Sequence, residues 1–230
     1  MKILVLGHKG MLGHMVHKYL STKEDCELIS TDLRWPTEEF KTFTLDFNGD
    51  FVVNCIGAIH QRTDNFDINT NLPIWLDDNI NRCKIIHPGT DCEIDDDDYG
   101  NSKRKATEYI LERGTMTKII KTSIIGPELN TQASLLEWFL NSQNEVSGYS
   151  EAYWNGNTTL QWAKICYDMM CNWDKYEILS IPTTECISKY DLLSEIKKVY
   201  DKDIKINKCL NGNMTVGTIA KQLKEMKDFR

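Results

Sequence analysis

Tyr99 stands four residues ahead of Lys103 at the start of a helix-like run, Tyr99-Gly-Asn-Ser-Lys103. In a helix, an i, i+4 pair shares one face. A phenol with an ordinary pKa of about 10 is a poor acid–base group at neutral pH, and a neighbouring ammonium favours its ionised form. The pair is therefore expected to have a lowered tyrosine pKa and to pass a proton to or from a carbonyl or alcohol oxygen. Thr90, nine residues upstream in Pro88-Gly-Thr-Asp-Cys-Glu93, is expected to hydrogen-bond that same oxygen.

The first thirteen residues add a place for a nucleotide cofactor. Lys2-Ile-Leu-Val-Leu6 is apolar without alternation, the pattern of a parallel strand buried on both faces. It runs into Gly7-His-Lys-Gly10-Met-Leu-Gly13, followed by a helix over about 11–21. In such a turn one glycine permits the bend, one lets backbone approach a pyrophosphate, and one lets helix and strand pack closely. The helix then directs free amides and its positive end at the phosphates.

Glu27 to Asp32 reads as a second strand ending in an acid placed for a ribose hydroxyl. Arg34 would instead meet a 2′-phosphate, so NAD and NADP both stay open. A short strand over 43–47 holds Asp46, and the strand over 51–59 ends in Gly57 and Ala58, small enough to leave room for a cofactor. The candidate cofactor-binding residues are thus Gly7, Lys9, Gly10, Met11, Leu12, Gly13, Asp32, Arg34, Asp46, Gly57 and Ala58, with Tyr99 and Lys103.

The elements that must position these residues follow in order. A helical pattern covers 65–82, a strand 84–87, and the helix of Tyr99 and Lys103 ends at Gly114. Further helices are expected over 134–140, 158–171, 188–201 with Ser188 as cap, and 216–229. Strands are expected over 176–182 and 204–206. The alternation predicts an α/β, Rossmann-like, doubly wound parallel sheet with a small C-terminal substrate-binding lobe. The approximate division is residues 1–121 for NAD(P) binding and 122–230 for the lobe, interleaved with the end of the sheet. Tyr149, Tyr153 and Trp154 cluster near glycines, where stacking on a base or sugar and ordinary core packing are both open.

Bulk properties narrow the function classes. The 230 residues carry 27 basic and 34 acidic side chains, a net charge of -7, which gives no footprint for nucleic acid or an anionic membrane. The longest apolar runs fall far short of the roughly 20 residues a membrane span needs. The stretch after Lys2 lacks the apolar run of a secretion signal, so a cytoplasmic location is expected. Eight cysteines are scattered without a Cys-x-x-Cys pair, and most are expected to be reduced and buried. No metal is expected, since His14 and His17, at helical spacing, have no carboxylate or cysteine nearby in sequence.

Together these residues resemble the extended short-chain dehydrogenase/reductase family in its sugar-nucleotide branch, above all the dTDP-4-dehydrorhamnose reductases. The resemblance rests on the glycine turn with Leu12, Asp32, the Asn54 strand, Asn71-x-Pro73, Thr90-Asp91, Tyr99-x-x-x-Lys103, Lys121 to Pro127 and Trp154 to Thr159. It implies NAD(P)H-dependent reduction of a 4-keto-6-deoxy sugar nucleotide, with Thr90, Tyr99 and Lys103 catalytic and Lys103 also holding the nicotinamide ribose. It further implies that Asn71 helps position the site and that Thr90, Asp91 and Trp154 meet the substrate. An NAD-dependent epimerase or dehydratase and a non-catalytic cofactor-binding regulator remain alternatives, and a homodimer is an open expectation. The chain departs from the pattern by its short bridge from Glu93 to Asp98, read as a solvated acidic loop ahead of the alternative of a reshaped pocket rim, and by Gly89 ahead of Thr90.

Overall fold

The computed structural model describes residues 1–210. The helix expected over 216–229 lies outside them. In chain order the elements are β1 (Lys2–Leu6), α1 (Met11–Leu20), β2 (Glu27–Ser30), α2 (Glu38–Asp46), β3 (Phe51–Asn54), α3 (Asp67–Asn79), β4 (Lys84–Gly89), a 3-10 turn (Asp91–Ile94), α4 (Asp98–Arg113), β5 (Thr117–Lys121), β6 (Ile124–Ile125), α5 (Leu135–Asn141), β7 (Glu145–Tyr149), β8 (Tyr153–Trp154), β9 (Asn157–Thr158), α6 (Thr159–Cys171), β10 (Leu179–Ser180), β11 (Ile187–Ser188), α7 (Lys189–Val199) and β12 (Lys205–Cys209).

The chain forms two compact units. The first comprises Met1–Asn141 and Asn155–Glu185, the second Ser142–Trp154 and the chain from Cys186 on. The first unit is built on a six-stranded sheet in the order β10-β5-β4-β3-β1-β2, parallel throughout. Strand β1 explains its own composition. Its Ile3 and Val5 pack with Val16 and Leu20 of α1 and with Trp162 and Met169 of α6. Leu4 and Leu6 point the other way, onto Phe40 of α2 and Leu72 and Leu76 of α3. A strand covered by helices on both faces has no polar side to alternate with. This is the expected doubly wound, Rossmann-like arrangement, with its order reversing where β1 lies between β2 and β3.

One expected strand is a helix. Residues 43–47, read as a strand, fall largely in α2, which Thr37 caps by accepting from the Phe40 amide at 3.3 Å. Phe40, Thr44 and Phe47 are the buried positions, spaced i, i+4, i+7, so the 3.6-residue period prevails over the short apolar run. Glu38 and Glu39 in the first turn favour the helix N-terminus. Other boundaries contract, as β2 stops at Ser30, β3 at Asn54, and the strand expected over 176–182 reduces to Leu179–Ser180.

Within the second unit β7 pairs in parallel with β12, and β8 pairs antiparallel with β11. Ser188 caps α7 as expected, its hydroxyl accepting from the Asp191 amide at 3.1 Å. No helix among the described residues is long and apolar enough to cross a membrane.

Candidate functional site

A cleft of ≈ 340 Å³ opens at the carboxyl ends of β1 and β3. Of the residues expected to hold a cofactor, it gathers Gly7, Lys9, Gly10, Asp32, Arg34 and Gly57. Gly7 takes φ +77°, open to glycine at little cost. A Cβ on Gly13 would lie 2.1 Å from the Gly7 carbonyl oxygen, so the close packing of α1 on the turn depends on its absence. Leu12 is buried in the core and Met11 begins α1 half-buried, so both support the turn. Asp46 ends α2 on an exposed position and does not line the cleft, a consequence of the strand that became a helix.

The cleft rim is charged. Lys9 Nζ is 2.6 Å from Asp32, and His8 Nε2 is 3.7 Å from the same carboxylate. The Lys9 hydrogen bond, before any other cause, holds the Asp32 carboxyl below its usual range. His8 and Arg62 line the cleft too, and neither stood out in the sequence. Arg62 pairs at 2.8 Å with Glu128, whose side chain is buried.

Beyond β4, Thr90 caps the 3-10 turn. Its hydroxyl accepts from the Cys92 amide at 3.3 Å and donates to Asp91 Oδ1 at 3.2 Å. Ser123 donates to the same Asp91 oxygen. The acidic bridge is not all solvated. Glu93 is buried, accepting from the Thr90 amide at 3.1 Å and the Thr107 hydroxyl at 3.0 Å and pairing with Lys121 at 2.8 Å. Asp97 caps α4, accepting from the Gly100 amide at 2.6 Å.

Tyr99 and Lys103 share a face of α4, which follows the turn that Thr90 caps. The expected lowering of the tyrosine pKa is overturned. Burial first, then the neighbouring Cys92, Asp91 and Glu93 side chains, push the phenol up to about 12, with Thr90 acting against the rise. The ring packs beside His60 at 5.3 Å and Phe66 at 5.7 Å between centroids, which shields part of it from water. Lys103 is buried and pushed down to about 8 by burial, with Glu93 acting against the fall. Its Nζ lies 3.4 Å from where a Gly57 Cβ would stand, so the ammonium reaches the cleft wall.

The asparagine of α3 that holds the loop after β3 is Asn69 rather than Asn71. Asn71 is exposed on α3. Asn69 is 1% exposed, accepts from the Ala58 amide at 2.8 Å, and donates to the Ala58 carbonyl at 3.0 Å. Ala58 is thereby held by its backbone and does not line the cleft. Helical phase was the available signal, because Asn69, Leu72, Pro73 and Leu76 fall on one stripe and Asn71 does not. Behind Lys103, Asn54 donates to His87 Nδ1 at 3.1 Å, leaving the buried Nε2 without a partner.

Trp154 belongs to the second unit, in β8 opposite Ile187. Among the described residues no group of three or more His, Cys, Asp or Glu side chains is assembled to hold a metal. All eight cysteines are free, but only Cys83 and Cys166 are buried, fewer than expected, since Cys26, Cys55, Cys92 and Cys209 are half-buried and Cys171 and Cys186 are exposed.

Sheet order, glycine turn and cleft define a Rossmann-like α/β fold with a crevice at its switch point. No family profile and no curated protein matches the sequence. Among solved structures, the chain is similar to a dTDP-4-dehydrorhamnose reductase from Clostridium acetobutylicum, with a TM-score of 0.76, 20% identity, and 94% of this chain and 86% of that one covered. A dTDP-4-dehydrorhamnose reductase from Bacillus anthracis in complex with NADP gives a TM-score of 0.72 at 14% identity, over 91% and 84% of the two chains. A dTDP-glucose 4,6-dehydratase from the same organism in complex with NAD gives 0.67 at 13%, over 99% and 90%. At these identities the likeness establishes the fold.

Proposed function

We propose that this chain is an NAD(P)H-dependent reductase of the sugar-nucleotide short-chain dehydrogenase/reductase type, acting on a 4-keto-6-deoxy sugar nucleotide. The observation that carries the reading is the meeting of Lys103 Nζ with Gly57, which joins the Thr90–Tyr99–Lys103 group to the cleft. The cleft fits a dinucleotide. Its glycine turn and the start of α1 suit a pyrophosphate, and Asp32 and Arg34 stand where the adenosine ribose would lie. Asp32 favours a free 2′-hydroxyl and Arg34 a 2′-phosphate, so either cofactor suits this rim.

The bound cofactor would supply the hydride. The chain's own residues handle the rest. Thr90 orients the carbonyl oxygen, and Tyr99 gives its phenolic proton to that oxygen as the carbon is reduced. A phenol held near 12 stays protonated at neutral pH yet is far more acidic than an alkoxide's conjugate alcohol, which suits reduction. Lys103 would hold the nicotinamide ribose. Asp91 is held by Thr90 and Ser123, and Cys92 stands where a dehydratase usually has a second acid, which supports a reductase over a dehydratase.

The test supplies NADPH or NADH with a dTDP-linked 4-keto-6-deoxy sugar and follows the absorbance of the reduced cofactor. Wild type should oxidise it, and Tyr99→Phe should be slower by about 10²- to 10⁴-fold. Equal rates in the two proteins would refute the assignment. Epimerised sugar formed without net oxidation would favour an epimerase.

A further inference from the structure

Glu93 has no place in the mechanism above, yet it is the most heavily engaged acid near the site. Its side chain is 2% exposed. One oxygen accepts from the Thr90 amide at 3.1 Å and from the Thr107 hydroxyl at 3.0 Å, while the other faces Lys121 Nζ at 2.8 Å. Its backbone carbonyl accepts from Arg104 at 2.9 Å. These contacts join the turn that carries Thr90, the helix that carries Tyr99 and Lys103, and strand β5.

We propose that Glu93 is a positioning residue of the active site, pinning the Thr90 turn to α4 and supplying the buried counter-charge for the Lys103 ammonium. This rests on the reading of Thr90, Tyr99 and Lys103 as the reacting group. Gly89 fits the same arrangement, because a Cβ there would stand 2.9 Å from Glu93 Oε1 and 3.1 Å from Lys121 Cβ. A small residue ahead of Thr90 is what lets the carboxylate turn inward.

The charges around Lys103 are few. Glu93, in the turn before α4, favours its charged form, the buried and neutral His87 lies on β4, and the amide of Asn69 lies beside Gly57. Glu93 itself is faced by Lys121 from β5 and by Thr107 and Tyr99 from α4. An ammonium buried without a counter-charge gives up its proton more readily. Loss of the Glu93 charge therefore lowers the Lys103 midpoint. Loss of Lys121 frees more of that charge for Lys103 and raises it.

The experiment is side-chain NMR of ¹⁵N-lysine-labelled full-length protein across pH, with Lys103→Arg identifying the resonance. Wild type should titrate near 8, Glu93→Gln at lower pH and Lys121→Met at higher pH. The alkaline limb of turnover should move in the same directions, and a midpoint displaced by one pH unit changes the protonated lysine above it roughly tenfold. A merely structural role would not move the midpoint in opposite directions in the two variants. A Lys103 midpoint unmoved in Glu93→Gln, or moved upward, overturns the proposal even if turnover persists. Opposed movements in a protein that oxidises no cofactor support the charge pairing and refute the reductase reading instead. If Glu93→Gln fails to fold, Lys121→Met decides, and an unchanged midpoint there also overturns the proposal.

Discussion

The asparagine pair on α3 shows how much one helical step decides. Asn69 closes a two-bond clasp on the backbone of Ala58, whereas Asn71 points to solvent. Asn69→Ala leaves a backbone donor and acceptor without partners, at a cost of about 1–3 kcal/mol. It also loosens the loop that brings Gly57 to Lys103, so cofactor affinity should fall with stability. Asn71→Ala should stay within about 0.5 kcal/mol of wild type. Urea unfolding and fluorescence titration of NADPH on both variants check this, and equal losses would return the role to Asn71. The side chains proposed to handle the proton could be singled out because their types and spacing suggest chemistry by themselves. Their pKa values were not, because the surroundings that lift Tyr99 include residues as distant in sequence as His60 and Phe66, and the burial that lowers Lys103 comes from the fold.

At the scale of elements, continuous or strongly periodic segments announced themselves. Strand β1 and helices α1, α4, α6 and α7 fall where sequence placed them to within a few residues. The region 43–47 did not, since Phe43, Leu45 and Phe47 alternate as a strand would while Phe40, Thr44 and Phe47 repeat as a helix does. Only the Thr37 cap and the facing core of Leu72 and Leu76 settle the matter. Glu93 was hidden for a related reason, since a run of acids reads as solvated until one of them meets Lys121. The junction of the 3-10 turn with α4 carries its own prediction. A Cβ on Gly100 would stand 2.3 Å from the Cys92 carbonyl oxygen and 2.8 Å from that of Asp95. Alanine would gain up to about 1 kcal/mol in helix propensity. The clash with two backbone oxygens should cost about 1–3 kcal/mol and push Tyr99 away from Thr90. Gly100→Ala should therefore unfold at lower urea and turn over more slowly, and a more stable, fully active variant would show that the turn yields.

For the whole molecule, the titratable groups set how stability follows pH. The carboxyls of Asp32, Asp97, Glu128 and Glu145 all lie below their usual values. Their contribution is present above the unfolded carboxyl range and lost as pH falls through the lowered folded values. Lys103, lowered to about 8, makes stability rise with pH between that value and its ordinary 10.5. Between about pH 5 and pH 6.5 the histidines govern. His87 is held neutral, first by burial and then by the Lys103 ammonium, so its folded pKa lies well below the ordinary 6.5. Below that ordinary value the unfolded chain takes up a proton that the fold refuses. Stability should fall with acid by at most roughly 1.4 kcal/mol per pH unit from this group. His17, lowered by burial and by His8, adds a smaller slope of the same sign. His87→Gln offers a side chain that does not titrate and whose amide oxygen can still accept from Asn54. Urea unfolding between about pH 5 and pH 7 should therefore show a shallower decline for the variant than for wild type, leaving mainly the His17 slope. Equal slopes in the two proteins would mean that His87 takes up its proton inside the fold, and the neutral imidazole assigned between Asn54 and Lys103 would be wrong.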